Sequence, residues 1–183
     1  MRVLITGSRG FIGKNLSVAL GERAGFEVVR FDREDAREAL REKVAAADAV
    51  VHLAGVNRPP DPAQFEAGNA GLTGDLCAAI DQAGRPIPLM LASSTQAERD
   101  NAYGRSKRAA EREAEDLSSR SGGSVAIYRL ANVFGKWCRP DYNSVVATFC
   151  HNVAHDLPIR IDDPAARLRL VHVDDVVSEF LAA

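Results

Sequence analysis

The segment RVLITGSRGFIG constrains the fold more than any other stretch of this chain. A short apolar run ends at Gly7, and Gly7, Gly10 and Gly13 recur at three-residue spacing before a helical pattern begins. A strand that turns through three glycines into a helix leaves the first N–H groups of that helix open. The missing Cβ atoms also let another backbone or a ligand come close. Together these features make an anion site suited to a pyrophosphate, at the carboxyl end of a strand in an open sheet. Glycines that serve packing alone are the competing explanation. The strand pattern before them and the helix pattern after them favour the phosphate-binding turn.

The same alternation continues downstream. RVLITG, EVVRFD, AVVHLAG, IPLMLASS and VAIYRL are near-continuous apolar runs, as expected of parallel strands buried on both faces. Helical patterns lie between them, over 13–23, 35–46, 62–83 and 101–120. The order predicts an α/β fold: a doubly wound, Rossmann-like parallel sheet with right-handed crossovers, in a single domain. After VAIYRL the pattern loosens. A helix is expected over 144–155, then a short strand pair, LPIRI and RLRLVHV, then a capped helix from Asp174. Val176, Val177, Phe180 and Leu181 recur on that last helix at roughly helical spacing. They are expected to form an exposed apolar face that drives self-association or lowers stability relative to a longer chain.

Composition excludes several classes. The 183 residues can bury one sizeable core, and 46% hydrophobic and 26% charged residues are ordinary for a globular chain. A formal net charge of −2 gives no field for nucleic acid or an anionic membrane. Cys77, Cys138 and Cys150 are odd in number and widely spaced, which predicts reduced thiols in a cytoplasm, with no disulfide framework and no zinc pattern. No apolar run approaches membrane-spanning length.

Two constellations carry chemistry. Asp32 ends the second strand pattern about 25 residues beyond Gly7, near where a carboxylate meets a ribose. Arg9, in the glycine turn, and Arg33, after Asp32, can reach the same edge. Arginine grips phosphate bidentately, so the pair favours a 2′-phosphate and hence NADPH over NADH. Solvated surface charge is the alternative for each arginine. In NAYGRSKRAAERE, Tyr103 and Lys107 stand one helical turn apart on one face. An ammonium beside a phenol lowers its pKa, and Ser93 or Ser94, ending the preceding strand, can hold a substrate oxygen. A proton donor, its tuner and a carbonyl polariser suit hydride transfer between a nicotinamide and a carbonyl. A Tyr-x-x-x-Lys spacing is common by chance; the glycine turn upstream and the serines at the strand end argue against chance here.

On GSRGFIG, VVHLAG, SS, YGRSK, YRLANVFG and VHVDDVV, taken in order, the chain resembles the extended branch of the short-chain dehydrogenase/reductases, the NAD-dependent epimerase/dehydratase family. HLAGVNRP, YRLANVFGKWCRPDYNSVVATFCHN and DLPI are similar, within that branch, to the UDP-4-keto-6-deoxy-sugar reductases of capsular polysaccharide synthesis, on the route to UDP-N-acetyl-L-fucosamine. The resemblance implies NADPH-dependent reduction of the 4-keto group of a UDP-2-acetamido-2,6-dideoxy-hexos-4-ulose, for capsule or O-antigen, by a cytoplasmic homodimer. It implies Tyr103 as acid and Lys107 as its partner and a ribose ligand, with Ser94 polarising the keto oxygen and Ser93 as alternative. Gly7, Arg9, Gly10, Phe11, Ile12 and Gly13 would hold the pyrophosphate end. Leu53, Ala54 and Gly55 would line the cofactor, and Asn132 would touch the UDP-sugar.

The chain departs from that pattern. A strand and helix common in the branch are missing between Asp32 and AVVHLAG. Leu168, flanked by Arg167 and Arg169, stands where an arginine is usual. The resembling enzymes continue into the rest of a sugar pocket and a metal-binding cupin domain, so over 1–183 the substrate-binding part is expected to be incomplete.

Remaining candidates are weaker. His151 and His155 stand four apart with no third ligand evident, so no metal is expected. His52 fits a hydrogen-bonded structural role. Trp137, Arg139 and Tyr142 are candidates to stack on uracil or sugar, or simply to pack. A 4-epimerase or 4,6-dehydratase, and a dinucleotide-binding module without turnover, are the alternative functions. Thr95 and Gln96 stand where a dehydratase would carry an acid–base pair, which argues against dehydration.

Overall fold

The structure, a computed structural model, describes every residue from Met1 to Ala183. The chain divides into two compact units, Met1–Arg129 and Leu130–Ala183. In the first, β1 (Arg2–Thr6), β2 (Glu27–Phe31), β3 (Ala49–His52), β4 (Leu89–Ser94) and β5 (Val125–Leu130) alternate with α1 (Phe11–Gly21), α2 (Ala39–Ala45), α3 (Leu72–Gln82) and α4 (Ala102–Ser121). The strands form one sheet in the order β2-β1-β3-β4-β5. β1 pairs in parallel with β2 on one side and β3 on the other, and β3 with β4, which is the expected doubly wound architecture. The chain moves outward from β1 to β2, then crosses back to β3, so the loops after β1 and β3 leave the sheet where its order reverses.

Alternation along the strands selects the core. Leu4, Phe31, Val50, Leu89 and Leu91 join Leu40, Val44, Leu76, Ile80, Ala114 and Leu117 of α2, α3 and α4 in one buried cluster. Val3 and Ile5 point the other way from Leu4, and α1 buries Leu16 and Leu20 outside that cluster. The missing strand and helix are indeed absent: only α2 connects β2 to β3.

Two helices differ in extent from the sequence pattern. α2 starts four residues later, because Asp35 is held elsewhere: its carboxylate accepts from Asp32 N at 2.7 Å and from Lys43 Nζ at 2.8 Å. The stretch expected as one helix over 62–83 opens instead with a wide π turn, Glu66–Gly71, before α3.

In the second unit, β6 (Asn132–Phe134) pairs in parallel with β7 (Leu170–His172), and α5 (Val145–Ala154) and α6 (Val173–Ala182) follow their strands. The expected pairing of LPIRI with RLRLVHV does not form. Residues 157–161 form no strand, with Pro158 lacking an N–H, and Leu157, Ile159 and Ile161 are exposed. The second strand shortens to β7 and takes β6 as partner instead. The expectation for the terminal helix is also overturned: Val173, Val176, Val177 and Phe180 are only 0–6% exposed. α6 is capped by His172, whose Nδ1 accepts from Asp174 N at 3.3 Å. No helix is long and apolar enough to cross a membrane.

Candidate active site

Gly7 has φ +72° and lies where the backbones leaving β1 and β3 touch. A Cβ there would sit 2.7 Å from Ala54 N and 3.0 Å from the Leu53 carbonyl carbon. A Cβ on Gly13 would overlap the Gly7 carbonyl oxygen, and one on Gly10 would come to 3.1 Å from it. The glycines therefore press the turn flat against the helix start, and Gly10 N donates to Gly7 O at 3.0 Å. α1 opens at Gly10 with no side-chain cap and no acidic residue in its first turn, so Phe11, Ile12 and Gly13 present free N–H groups at the positive end of the helix. This cradle fits a dinucleotide pyrophosphate, with Leu53, Ala54 and Gly55 along its other side.

At the ribose edge, Asp32 is buried and occupied. Its carboxylate accepts from Ser8 Oγ at 2.6 Å and from Arg9 N at 3.0 Å, bracing the glycine turn. Arg9 Nε lies 3.9 Å from Asp32 Oδ2, and Arg9 Nη1 lies 3.5 Å from Glu34 Oε2. Arg33 Nε donates to Glu34 Oε1 at 3.1 Å. Both guanidinium groups are largely exposed at this edge.

The carboxyl end of β4 meets α4. Asn101 caps α4, its Oδ1 accepting from Gly104 N at 2.7 Å. A Cβ at Gly104 would overlap the carbonyl oxygens of Gln96 and Arg99, so the glycine after Tyr103 lets the helix start dock against the short 3₁₀ turn Thr95–Glu98. Ser94 caps that turn, its Oγ accepting from Gln96 N at 3.1 Å, which leaves the hydroxyl proton available. Ser93 differs: its hydroxyl is buried and donates to Glu111 Oε1 at 2.6 Å. Lys107 is buried beside Gly55 and donates to Ala92 O at 2.9 Å. Burial pushes its ammonium down to about 8, against the opposing pull of Glu111. The Tyr103 ring packs 5.6 Å from that of Phe65.

Two residues of the site carry more than the sequence pattern indicated. His52 is fully buried between two threonines, with Nδ1 2.5 Å from Thr6 Oγ1 and Nε2 3.0 Å from Thr73 Oγ1. Thr73 spends its proton on Asn69 O at 2.8 Å, so it accepts from His52 Nε2–H, and Nδ1 accepts from Thr6. Burial, helped by nearby Lys107, pushes the imidazole down to about 3. Asn69 went unnoticed in the sequence. Its Nδ2 donates to Ser106 Oγ at 2.9 Å and to Val56 O at 3.1 Å, and its Oδ1 accepts from Val56 N at 2.9 Å. It thereby pins the loop after β3 to α4. The available signal was a single polar residue among small ones in AGNAG.

In the second unit, Asn132 Nδ2 donates to Asn143 O at 3.4 Å, while its Oδ1 is buried without a partner. The Arg139 guanidinium lies 5.6 Å over the Tyr142 ring, and Trp137 and Asp141 hold left-handed φ values of 67° and 53° in the same loop. The His151 and His155 ring centroids lie 4.2 Å apart with the rings tilted by 35°, and no group of three His, Cys, Asp or Glu side chains is placed to hold a metal ion.

Residues 3–183 match the NAD dependent epimerase/dehydratase family. The chain is 53% identical over 181 residues to a UDP-2-acetamido-2,6-beta-L-arabino-hexul-4-ose reductase of Pseudomonas aeruginosa, covering 99% of this chain and 49% of that protein. Among solved structures it resembles the capsular polysaccharide assembling protein CapF of Staphylococcus aureus, at 37% identity and a TM-score of 0.87, over 99% of this chain and 48% of that one. The UDP-glucuronic acid 4-epimerase of Bacillus cereus, solved with UDP-glucuronic acid and NAD, shares the fold at 18% identity and a TM-score of 0.87, over 100% of this chain and 72% of its own. The chain thus spans about half the length of the reductase and of CapF.

Proposed function

The chain belongs to the NAD dependent epimerase/dehydratase family, and on that premise we propose that it serves NADPH-dependent reduction of the 4-keto group of a UDP-2-acetamido-2,6-dideoxy-hexos-4-ulose. The observation that carries this reading is that Ser94 ends β4 while buried Lys107, one turn after Tyr103 on α4, donates to Ala92 O on the same strand and lies beside Gly55. The 53% identity to a reductase of such a sugar supports the substrate class, and the likeness to a capsular polysaccharide assembling protein supports a role in capsule or O-antigen synthesis.

The bound coenzyme supplies hydride. The chain's own residues do the rest. The N–H groups opening α1 bind pyrophosphate, and Arg9 and Arg33 bind the 2′-phosphate. Ser94 polarises the keto oxygen through a hydrogen bond from its free hydroxyl, keeping its proton, because Ser93 has committed its own hydroxyl to Glu111. Tyr103 delivers the proton that the new alkoxide needs, and Lys107 holds a ribose and favours the phenolate. Asn132, with its unpaired buried oxygen, and Arg139 are the substrate contacts proposed in the second unit. The family's extension beyond residues 1–183 would complete the sugar pocket, and a homodimer in the cytoplasm is the proposed setting.

Titration and turnover test this reading. NADPH is expected to bind at least about tenfold tighter than NADH, with Arg33→Ala erasing most of the difference. Tyr103→Phe is expected to lower NADPH oxidation by at least about a hundredfold with the UDP-linked 4-keto sugar, and to leave NADPH affinity within a few-fold. Equal affinity for the two coenzymes sinks the 2′-phosphate assignment. Near-normal reduction by Tyr103→Phe sinks the assignment of the acid.

A further inference from the structure

Glu111 is 0% exposed, yet no step of the proposed reduction uses it. A carboxylate in a core is costly unless every lone pair is answered. Here both oxygens are. Oε1 accepts from Ser93 Oγ at 2.6 Å and Arg129 Nε at 2.8 Å. Oε2 accepts from Arg108 Nη1 at 2.6 Å and Arg129 Nη2 at 2.7 Å. Burial alone would raise its pKa; the hydrogen bonds from Arg129, Ser93 and Arg108 outweigh this and hold it at about 2. The carboxylate is therefore charged throughout the working range.

The partners show what the charge holds together. Lys107, one turn earlier on α4, grips Ala92 O, and Glu111 grips the next residue, Ser93. The helix is thus tied to two consecutive residues of β4, immediately before Ser94. Arg129, on β5, closes the far side with a bidentate grip on Glu111 and a 3.0 Å bond from Nη1 to Glu98, in the turn that Ser94 caps. Ser94 is framed from both sides by one network centred on Glu111. An apolar cluster of similar volume would give comparable stability but no fixed direction.

We propose that Glu111 is a positioning residue that locks α4 onto the ends of β4 and β5, and so sets Lys107 and Ser94 at the nicotinamide end of the cofactor site. This rests on the dinucleotide reading above. The charged and titratable groups around Lys107 are Glu111 and Tyr103 on its own helix and neutral His52 on β3; Arg108 and Arg129 bind Glu111 directly.

Two ligands separate positioning from general support. NADPH spans the whole site, and 2′,5′-ADP fills only the adenosine half. In Glu111→Gln, NADPH binding is expected to weaken about tenfold while 2′,5′-ADP binding stays within about twofold. Ser93→Ala is expected to weaken NADPH alone by a smaller factor. The double variant should bind NADPH no more weakly than Glu111→Gln, since the two groups share one bond. Equal loss on both ligands, no loss on either, or additive losses would overturn the proposal. Should Glu111→Gln fail to fold, Ser93→Ala and Arg129→Lys with the same two ligands decide it. A native chain that binds neither ligand overturns the dinucleotide reading and this inference with it, an outcome distinct from a Glu111→Gln protein that binds like the native one.

Discussion

A neutral His52 is built into the junction of β1, β3 and α3. Each ring nitrogen already has a threonine partner, and the partners' own protons are directed by Ala54 N, which donates to Thr6 Oγ1 at 3.3 Å, and by Asn69 O. A second proton on the ring would have to displace the Thr6 hydroxyl proton. The unfolded chain takes up that proton near pH 6.5, whereas the folded chain resists until about pH 3. The unfolded state therefore binds more protons in this window, and stability falls as pH drops through it. The melting temperature is expected to decline from about pH 6.5 downward, and His52→Asn is expected to flatten the upper part of that decline. A native curve flat between pH 6.5 and 4.5, above the window in which Glu111 titrates, would contradict the network.

At the scale of elements, glycine positions decide which segments can touch. Gly104 lets α4 begin against the turn after β4, where any side chain would strike two carbonyl oxygens. Gly104→Ala is therefore expected to cost stability, by about 1–3 kcal/mol as for overpacking elsewhere, and to displace Tyr103. Urea unfolding together with NADPH titration would measure both; an unchanged midpoint and unchanged binding would show that the helix start has room. The pair YG was visible in the sequence, but only the contact with Gln96 and Arg99 explains it. The strands and the glycine turn were legible because buried parallel strands leave long apolar runs. The π turn at Glu66–Gly71 was not; in it Gly68 lies so close to Val56 that a Cβ would overlap that side chain, a contact that no local pattern reveals.

For the whole molecule, the buried face of α6 changes the expectation most. A face made of Val173, Val176, Val177 and Phe180 is already covered, so it offers nothing for self-association. Phe180→Ala is expected to lower unfolding free energy by about 3–5 kcal/mol, as a buried aromatic does when truncated. A loss below about 0.5 kcal/mol in urea unfolding would mean that the ring is exposed. Sequence by itself determined the order of β1–β5 and α1–α4, the glycine cradle and the Tyr103–Lys107 spacing, because each is a local pattern of periodicity or backbone freedom. It left open which of Ser93 and Ser94 has a free hydroxyl and what Glu111 does, and it pointed the wrong way on which strand β7 joins and on whether α6 is covered. Tertiary structure decided these because each depends on a partner far along the chain: Ser93 is distinguished from Ser94 only by the carboxylate that α4 brings to it, and β7 is paired only because β6 offers an open edge.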